Sequence, residues 1–515
     1  MRILEWLKFD KDERKNFFWL ILAYGLYVLP LILANTYYLD DIGRTVNGYG
    51  AWERDGRPFT MLIIDLLNFQ WTFHGGIPTM ADGIPHPLQD LAPYPLLLGI
   101  AILAYVVVLL SRKYLRTKNF LILLGCQTLC IMNPFMIGGI VYRFDCIAML
   151  LAVSLMLLCF ALPEDLSWKQ LFFGSFMLSF LILCLYQAMI GACIALTSVE
   201  ILVCMYRAEE MHFVIRRCVV RLSGFFASGI LYKFSVAAVL IKNYSHELQT
   251  FVSPFSQHSW DVVRQNIHIY HALLRSYTDA LPWVVGGAMI LLFLLFSWRW
   301  LHRVEGNSSR NICIYVAGAL VTVFGAYLPL LLLQAPANHA RELIFLVVIP
   351  LALGIMTCAL AESRRVLAFL LVPMLMYGFY YIYAFGNVLK HQAEWETTIV
   401  QQISYDIGRL EYDGGHPGRT AHPPTIAIVG DAPPSLELQI AMRKQPLMAN
   451  ILESCLLENH NGCVLLRHYV PFDFTMGVDE EIEKGRSYAA SHDPVLSNTL
   501  YAIYLHDDHI IVKFQ

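Results

Sequence analysis

Apolar runs of roughly 17 to 23 residues recur along this chain, each long enough to cross about 30 Å of hydrocarbon at 1.5 Å per residue. Lipid offers backbone groups no partner, so such runs must be helices. They extend approximately from Phe17 to Thr36, Pro93 to Leu110, Phe120 to Tyr142, Cys146 to Leu162, Leu171 to Leu185, Ala188 to Met205, Leu222 to Ile241, Leu281 to Trp298, Ile312 to Leu333, Leu343 to Leu360 and Val366 to Phe385. About eleven spans result. The composition, 57% hydrophobic and 15% charged over 515 residues, excludes an ordinary soluble enzyme. Most of the 12 cysteines lie inside apolar runs, where they act as small hydrophobes rather than a disulfide framework.

Orientation follows from the basic residues between the runs. Lys8, Lys11, Arg14 and Lys15 precede the first; Arg112, Lys113, Arg116 and Lys118 follow the second; Lys169 follows the fourth. Arg207, Arg216, Arg217 and Arg221 follow the sixth, Arg299, Arg303 and Arg310 the eighth, and Arg364 with Arg365 the tenth. Every second connection is basic, which places them all in the cytoplasm. The N-terminus, without a small-residue cleavage site, reads as a cytoplasmic start rather than a removable signal peptide. An odd number of spans then puts the C-terminal tail outside.

Residues 1–386 therefore read as a transmembrane domain with outer loops at 37–91 and 242–280, and residues 387–515 as a small C-terminal α/β domain. In the first loop, Phe59 to Phe69 carries Leu62, Ile63, Leu66 and Leu67 at helical spacing, and Gly75 to Pro78 and Pro85 to Pro87 read as turns. Trp260 to Arg275 reads as a second surface helix. In the tail, Thr425 to Gly430, Cys463 to Val470, Leu500 to Leu505 and Ile510 to Phe514 read as strands, and Ser435 to Met442 and Ala449 to Leu457 as helices. The turn at Gly430 is too common to indicate a nucleotide site. Cys455 and Cys463 are candidates for a disulfide if this domain lies in an oxidising compartment.

Asp40 and Asp41, just beyond the first span, are the leading candidates for chemistry. Acidic residues can simply mark the water side of a helix end. Two adjacent carboxylates, however, raise each other's pKa unless a cation or hydrogen bonds intervene. A hydroxyl attacking an anomeric carbon needs a base within reach, and an oxocarbenium-like transition state favours negative charge nearby. A phosphate leaving group needs cations, and Arg44, Arg57, Arg143 and Arg341 all fall on the outer side, where positive charge runs against topology. Arg143 and Asp145 share a tight hairpin, in which a local ion pair is the simpler reading. Lys233, inside the seventh apolar run, is either a functional ion or one that snorkels or finds an internal partner. Tyr186 and Gln187 can hydrogen-bond a sugar or only cap helices, and His339 sits beside Arg341. The chain has no P-loop, no zinc-protease pattern and no nucleophile-elbow motif.

Asp40-Asp41, Gly56-Arg57-Pro58, the Tyr142 to Asp145 hairpin, Tyr186-Gln187, Ala340-Arg341 and the stretch Tyr383 to Gln392 together resemble the serotype-converting O-antigen glucosyltransferases of the Gtr type. That family is similar to the C-type glycosyltransferases, multi-span enzymes with an acidic motif in the first outer loop. The resemblance implies an inner-membrane enzyme that transfers glucose from undecaprenyl phosphate glucose to lipid-linked O-antigen polysaccharide in the periplasm, by inversion. It implies Asp40 and Asp41 as the catalytic carboxylates, one of them the base. Physical reasoning more than motif adds Arg341, Arg143, Lys233 and Arg44 as donor-phosphate contacts, and Arg57, Asp145, Tyr186, Gln187 and His339 as substrate contacts. No cofactor or metal is expected, because arginines can neutralise a monophosphate donor, although a divalent ion stays open. No nucleic-acid footprint is present. The rival readings are a flippase for a lipid-linked sugar, with Lys233 at the midplane, and an O-antigen polymerase.

Overall fold

The structure is a computed structural model that describes residues 5–47, 50, 52–69, 88–241, 250–253, 257–304, 308–362, 365–413, 423–452, 454–458, 460–470 and 474–515. The turns expected at Gly75 to Pro78 and Pro85 to Pro87, and Arg364, lie outside the described residues. Two compact units emerge. The first takes in Met1–Ile32, Ala51–Ile77 and Leu91–Ala384, and the second Leu33–Gly50, Pro78–Asp90 and Phe385–Gln515.

The first unit is helical. Among the described residues, nine helices are long and apolar enough to cross a membrane, and a bent pair makes a tenth. Each of the eleven apolar runs has a helical counterpart, with two corrections. The run from Phe120 to Tyr142 is broken into Phe120–Ile131 and Pro134–Ile140, at 62° to each other. Pro134 is the cause: it disfavours the helical conformation in Asn133, whose side chain instead accepts from the Phe135 N–H and restarts the helix. The run beginning at Cys146 forms a helix of only 16 residues, Cys146–Ala161, short for a full crossing.

The basic connections gather at one end of this unit. Arg112 pairs with Glu13 at 2.6 Å, Arg207 donates to the Lys113 carbonyl at 2.5 Å, and Arg303 donates to the Tyr206 hydroxyl at 3.2 Å. Several cations that read as loop charges are buried. Glu200, fully buried in the helix Ala192–Tyr206, accepts from Lys113 at 2.7 Å and Arg217 at 2.9 Å, and also from Arg221. Arg217 and Arg221 lie within the helix Met211–Tyr232, which starts well before Leu222. One carboxylate thus ties three segments of chain together.

The second unit is built on a five-stranded sheet of order β2-β1-β5-β4-β3, with β1 Thr425–Val429, β2 Thr475–Met476, β3 Leu496–Ser497, β4 Tyr501–His506 and β5 His509–Phe514. β1 runs parallel to β2 and β5, and β4 runs antiparallel to β3 and β5. Alternation along β1 sends Ile426 and Ile428 to one core and Ala427 and Val429 to the other, so the strand is apolar throughout. Helix Asp479–Ala489 packs on the second face through Ile482 and Ala489. Parallel pairing of β1 with β2 demands a crossover. Residues Cys463 to Val470, read above as a strand, supply it as part of the helix His460–Tyr469. Ser435 to Met442 lies in the helix Leu436–Lys444, whereas Ala449 to Leu457 is helical only to Ile451.

The last membrane helix does not stop at Phe385 but continues as Leu371–Asp413. Its far half is part of the second unit's core. Ile399, Val400, Ile403 and Ile407, spaced on one helical face, are buried with Ile426, Ile428 and Leu466. Glu396 on that helix accepts from Ser454 Oγ at 2.5 Å and from the Cys455 N–H at 2.9 Å.

Cys455 and Cys463 are buried and not joined in a disulfide, and burial pushes the Cys463 thiol up to about 11. Neither thiol should react with maleimide in the native protein at pH 8, and both should react once it is unfolded, as read by peptide mass mapping. Rapid native labelling at either position would contradict this burial. Glu200→Ala strands the buried Arg221 and leaves Lys113 and Arg217 only the longer contacts to Glu164 at 3.8 and 3.7 Å and, for Arg217, to Glu209 at 3.7 Å, and should cost about 3–5 kcal/mol. The expected readout is a lowered unfolding midpoint in detergent, and an unchanged midpoint would show that the cluster is not structural.

Candidate functional site

The basic loops occupy one terminus of several helices. At the opposite termini of those helices a second network assembles, within the first unit. It begins at a short 3₁₀ turn, Trp52–Asp55, followed by Gly56 with φ +73° and by Arg57 immediately before the helix Pro58–Leu67. The Gly56 position rejects a side chain on two counts. Its φ is left-handed, and a Cβ would lie 2.3 Å from the Tyr232 hydroxyl. Pro58 then suits the first helical position, where no N–H is needed.

The Trp52 indole N–H, fully buried, donates to Asp145 Oδ1 at 2.7 Å, and Arg57 Nη1 lies 3.9 Å from the same oxygen. Asp145 is placed there by the tight connection between the helices Pro134–Ile140 and Cys146–Ala161. The Arg57 guanidinium also stands 4.9 Å over the Tyr186 ring. The Tyr186 hydroxyl donates to Glu342 Oε1 at 3.0 Å and is 3.3 Å from the Arg341 carbonyl. Gln187 Nε2 reaches the Asp55 and Gly56 carbonyls and the Tyr232 hydroxyl, at 3.0, 3.2 and 2.8 Å. The 3₁₀ turn Ala340–Val347, entered through half-buried His339, carries Arg341 and Glu342.

Burial by itself disfavours a charged guanidinium at Arg57. Asp55, Tyr186, Asp145 and Glu342 more than offset it, and the Arg57 pKa rises above its ordinary value. Arg57 is therefore a fixed cation inside an acidic frame. Arg341 differs: it donates to the Tyr142 hydroxyl and lies 5.2 Å over that ring, with no carboxylate in ion-pair range among the described residues. It is the cation in this network that still has charge to offer an anionic ligand. Asp145 is engaged by Trp52 and Arg57, and Arg143, half-buried beside it, is also engaged.

Lys233 does not join the network. It opens a π-helical turn, Lys233–Ala237, and its side chain is exposed on the far side of the helix, whereas its neighbour Tyr232 turns inward to donate to the Gly56 carbonyl at 3.0 Å. Lys233 is also seven residues from the end of the helical stretch Met211–Leu240, not at its middle. Glu342, Trp52 and Tyr232 were not singled out from sequence. Glu342 had a visible signal as the acid next to Arg341, whereas Trp52 and Tyr232 had none beyond lying in the right segments.

Asp40, Asp41 and Arg44 belong to the second unit, in the helix Asp40–Asn47, which packs on the helix His460–Tyr469. The two aspartates have different surroundings. Asp41 is fully buried and its Oδ2 accepts from the Tyr38 N–H at 3.2 Å, closing the start of the helix. Asp40 is exposed, and among the described residues no hydrogen bond or ion pair holds its carboxylate. Arg44 is buried and donates from Nη1 to the Gly50 carbonyl at 2.5 Å, closing its own loop. In the tail, the Gly430 N–H donates to Glu458, so a carboxylate occupies the position a phosphate would take at a nucleotide-binding turn. Among the described residues no group of three or more His, Cys, Asp or Glu side chains is arranged to hold a metal ion.

A stretch covering the spans, the first outer loop and this network, residues 29–389, matches the model of the glucosyl transferase GtrII family. The chain is also 20% identical, over 99% of its length and all of its counterpart, to an uncharacterized 55.3 kDa protein in the gtrB 5' region of Salmonella phage P22. No solved structure matches it. With the family match running from the first membrane helix to the last, this chain belongs to the GtrII glucosyl transferase family.

Proposed function

We propose that this protein transfers glucose from undecaprenyl phosphate glucose to lipid-linked O-antigen on the periplasmic side of the bacterial inner membrane, giving serotype modification. The basic ends of the helices then face the cytoplasm by the positive-inside rule. The observation that carries the reading is Arg341, a cation without a carboxylate partner among the described residues, set in a hydrogen-bonded network at the helix ends away from the basic loops. Such a cation suits a phosphate that gains charge as it leaves.

In the proposed reaction an acceptor hydroxyl oxygen attacks the anomeric carbon from the face opposite the phosphate. The new C–O bond forms as the bond from that carbon to the phosphate oxygen breaks, inverting the centre. The hydroxyl proton passes to an aspartate, and undecaprenyl phosphate departs with the electron pair. Between the two candidates, Asp40 suits the base because its carboxylate is exposed and, among the described residues, unengaged. Asp41 suits a positioning role, since its buried carboxylate is already committed to the Tyr38 N–H. Arg341, with Arg143 beside Asp145, is assigned to the donor phosphate, and Arg57 to holding Tyr186 and Asp145 in place. Tyr186, Gln187 and His339 are assigned to the sugar. Arg44 and Lys233, one closing its own loop and the other facing away from the network, are the weaker phosphate contacts. A flippase reading would need an ion at the membrane midplane, and the exposed position of Lys233 near a helix end does not favour it.

Labelled glucose transfer from polyprenyl phosphate glucose to acceptor, measured with purified protein, tests the assignment. Asp40→Asn should reduce turnover by roughly 10²- to 10⁴-fold, the contribution of a positioned general base, with insertion and folding intact. Asp41→Asn should lower thermal stability as well as activity. Normal transfer in both single variants and in the double would sink the aspartate mechanism, and sugar crossing the bilayer while still on its lipid would favour the flippase. Transfer should survive EDTA, because the leaving monophosphate can be neutralised by arginines; loss on chelation with recovery on adding Mg²⁺ would overturn that part.

A further inference from the structure

The basic end of the first unit contains two adjoining cavities that the proposed reaction does not use. One, of about 330 Å³, is lined by Tyr114, Arg116, Arg207, Arg303 and Glu362 among others. Its neighbour, of about 650 Å³, shares Arg116 and Glu362 and adds Arg112, Lys118 and Arg365. Charge in the first cavity is unbalanced. Arg116, Arg207 and Arg303 have no carboxylate in ion-pair range among the described residues, and Glu209, which also lines the cavity, pairs with Arg217 at 3.7 Å.

Arg207 is the most constrained of the three. It is partly buried, and it donates to the Lys113 carbonyl at 2.5 Å and approaches the Tyr114 carbonyl at 3.4 Å. Burial first, and then repulsion from Arg116, push its pKa down. An anion between the two guanidinium groups would relieve both effects. A second, independent observation points the same way. Tyr114 is 4% exposed, and its buried hydroxyl has no hydrogen-bond partner among the described residues. A buried phenol left unsatisfied is costly, and a phosphate oxygen accepts from it well.

We infer that this cavity binds the phosphate of an anionic phospholipid headgroup from the leaflet at the basic end of the helices. Lipid fits better than a soluble phosphate because of where the cavity lies. It opens at the ends of the spans Tyr94–Ser111, Gln187–Tyr206, Trp283–Arg303 and Ala340–Ala361, the depth at which headgroups sit. Val203, Phe296 and Ile355 form its apolar wall, and Phe293 and Leu294 continue as exposed apolar surface along the same helix, a path for acyl chains. Basic pockets between membrane helices are suited to this chemistry. The inference is independent of the proposed sugar transfer.

Purified full-length protein, titrated with phosphatidylglycerol or phosphatidylcholine and read by native mass spectrometry, tests it. The wild type should retain phosphatidylglycerol at least tenfold more tightly than phosphatidylcholine, and millimolar inorganic phosphate should not displace it. Arg116→Gln with Arg207→Gln should weaken retention on the order of 25-fold, about fivefold for each surface cation lost. Equal retention of the two lipids, displacement by inorganic phosphate, or wild-type retention in the folded double variant would each overturn the inference. If that variant does not fold, Tyr114→Phe decides: weaker retention supports the site, and unchanged retention refutes it.

Discussion

A single half-buried guanidinium organises the end of the helical unit where function is proposed. Arg57 is largely withdrawn from bulk water, so its charge is answered mainly by protein groups, and Asp55, Asp145 and Glu342 answer it from three separate stretches of chain. Each of those stretches begins or ends a helix. The position of Arg57 depends in turn on Gly56, whose left-handed backbone and missing Cβ let the loop pass within reach of Tyr232 and Gln187. One loop conformation therefore sets the relative placement of Asp145, Tyr186 and Arg341.

The other end of the same unit uses the opposite arrangement. There a buried carboxylate, Glu200, is surrounded by Lys113, Arg217 and Arg221. Removing Glu200 leaves Arg221, buried in low dielectric, without its carboxylate, so the helices at this end have little freedom to slide. Beyond the cluster, arginines remain in excess over carboxylates. That excess lines the cavities at this end.

Much of the architecture was legible. Runs such as Pro93 to Leu110 are apolar over a bilayer's thickness, and no other structure satisfies such a segment, so each became a helix. The continuous apolar strand Thr425 to Val429 was equally readable. Cys463 to Val470 was not, because a short apolar run fits a buried helix as well as a strand and only the parallel pairing of β1 and β2 decides. The end of the last span was misread for a related reason. Hydropathy stops at Phe385, but the helix continues because Ile399, Val400, Ile403 and Ile407 find a second apolar core. Glu200 was visible as an acid in an apolar run, yet nothing local says that its partners are cations counted as loop charges.

Sequence by itself determined the membrane spans, their alternating basic connections and the acidic pair after the first helix, because hydrophobic length, charge position and order along the chain are local properties. Only the tertiary structure decided how the candidates differ. It left Asp40 exposed and Asp41 buried against a backbone N–H, turned Lys233 outward while its neighbour Tyr232 turned in, and gave Arg57 carboxylate partners but Arg341 none among the described residues. Those distinctions come from burial and from partners distant in sequence, and a charge acquires its chemical role from what surrounds it.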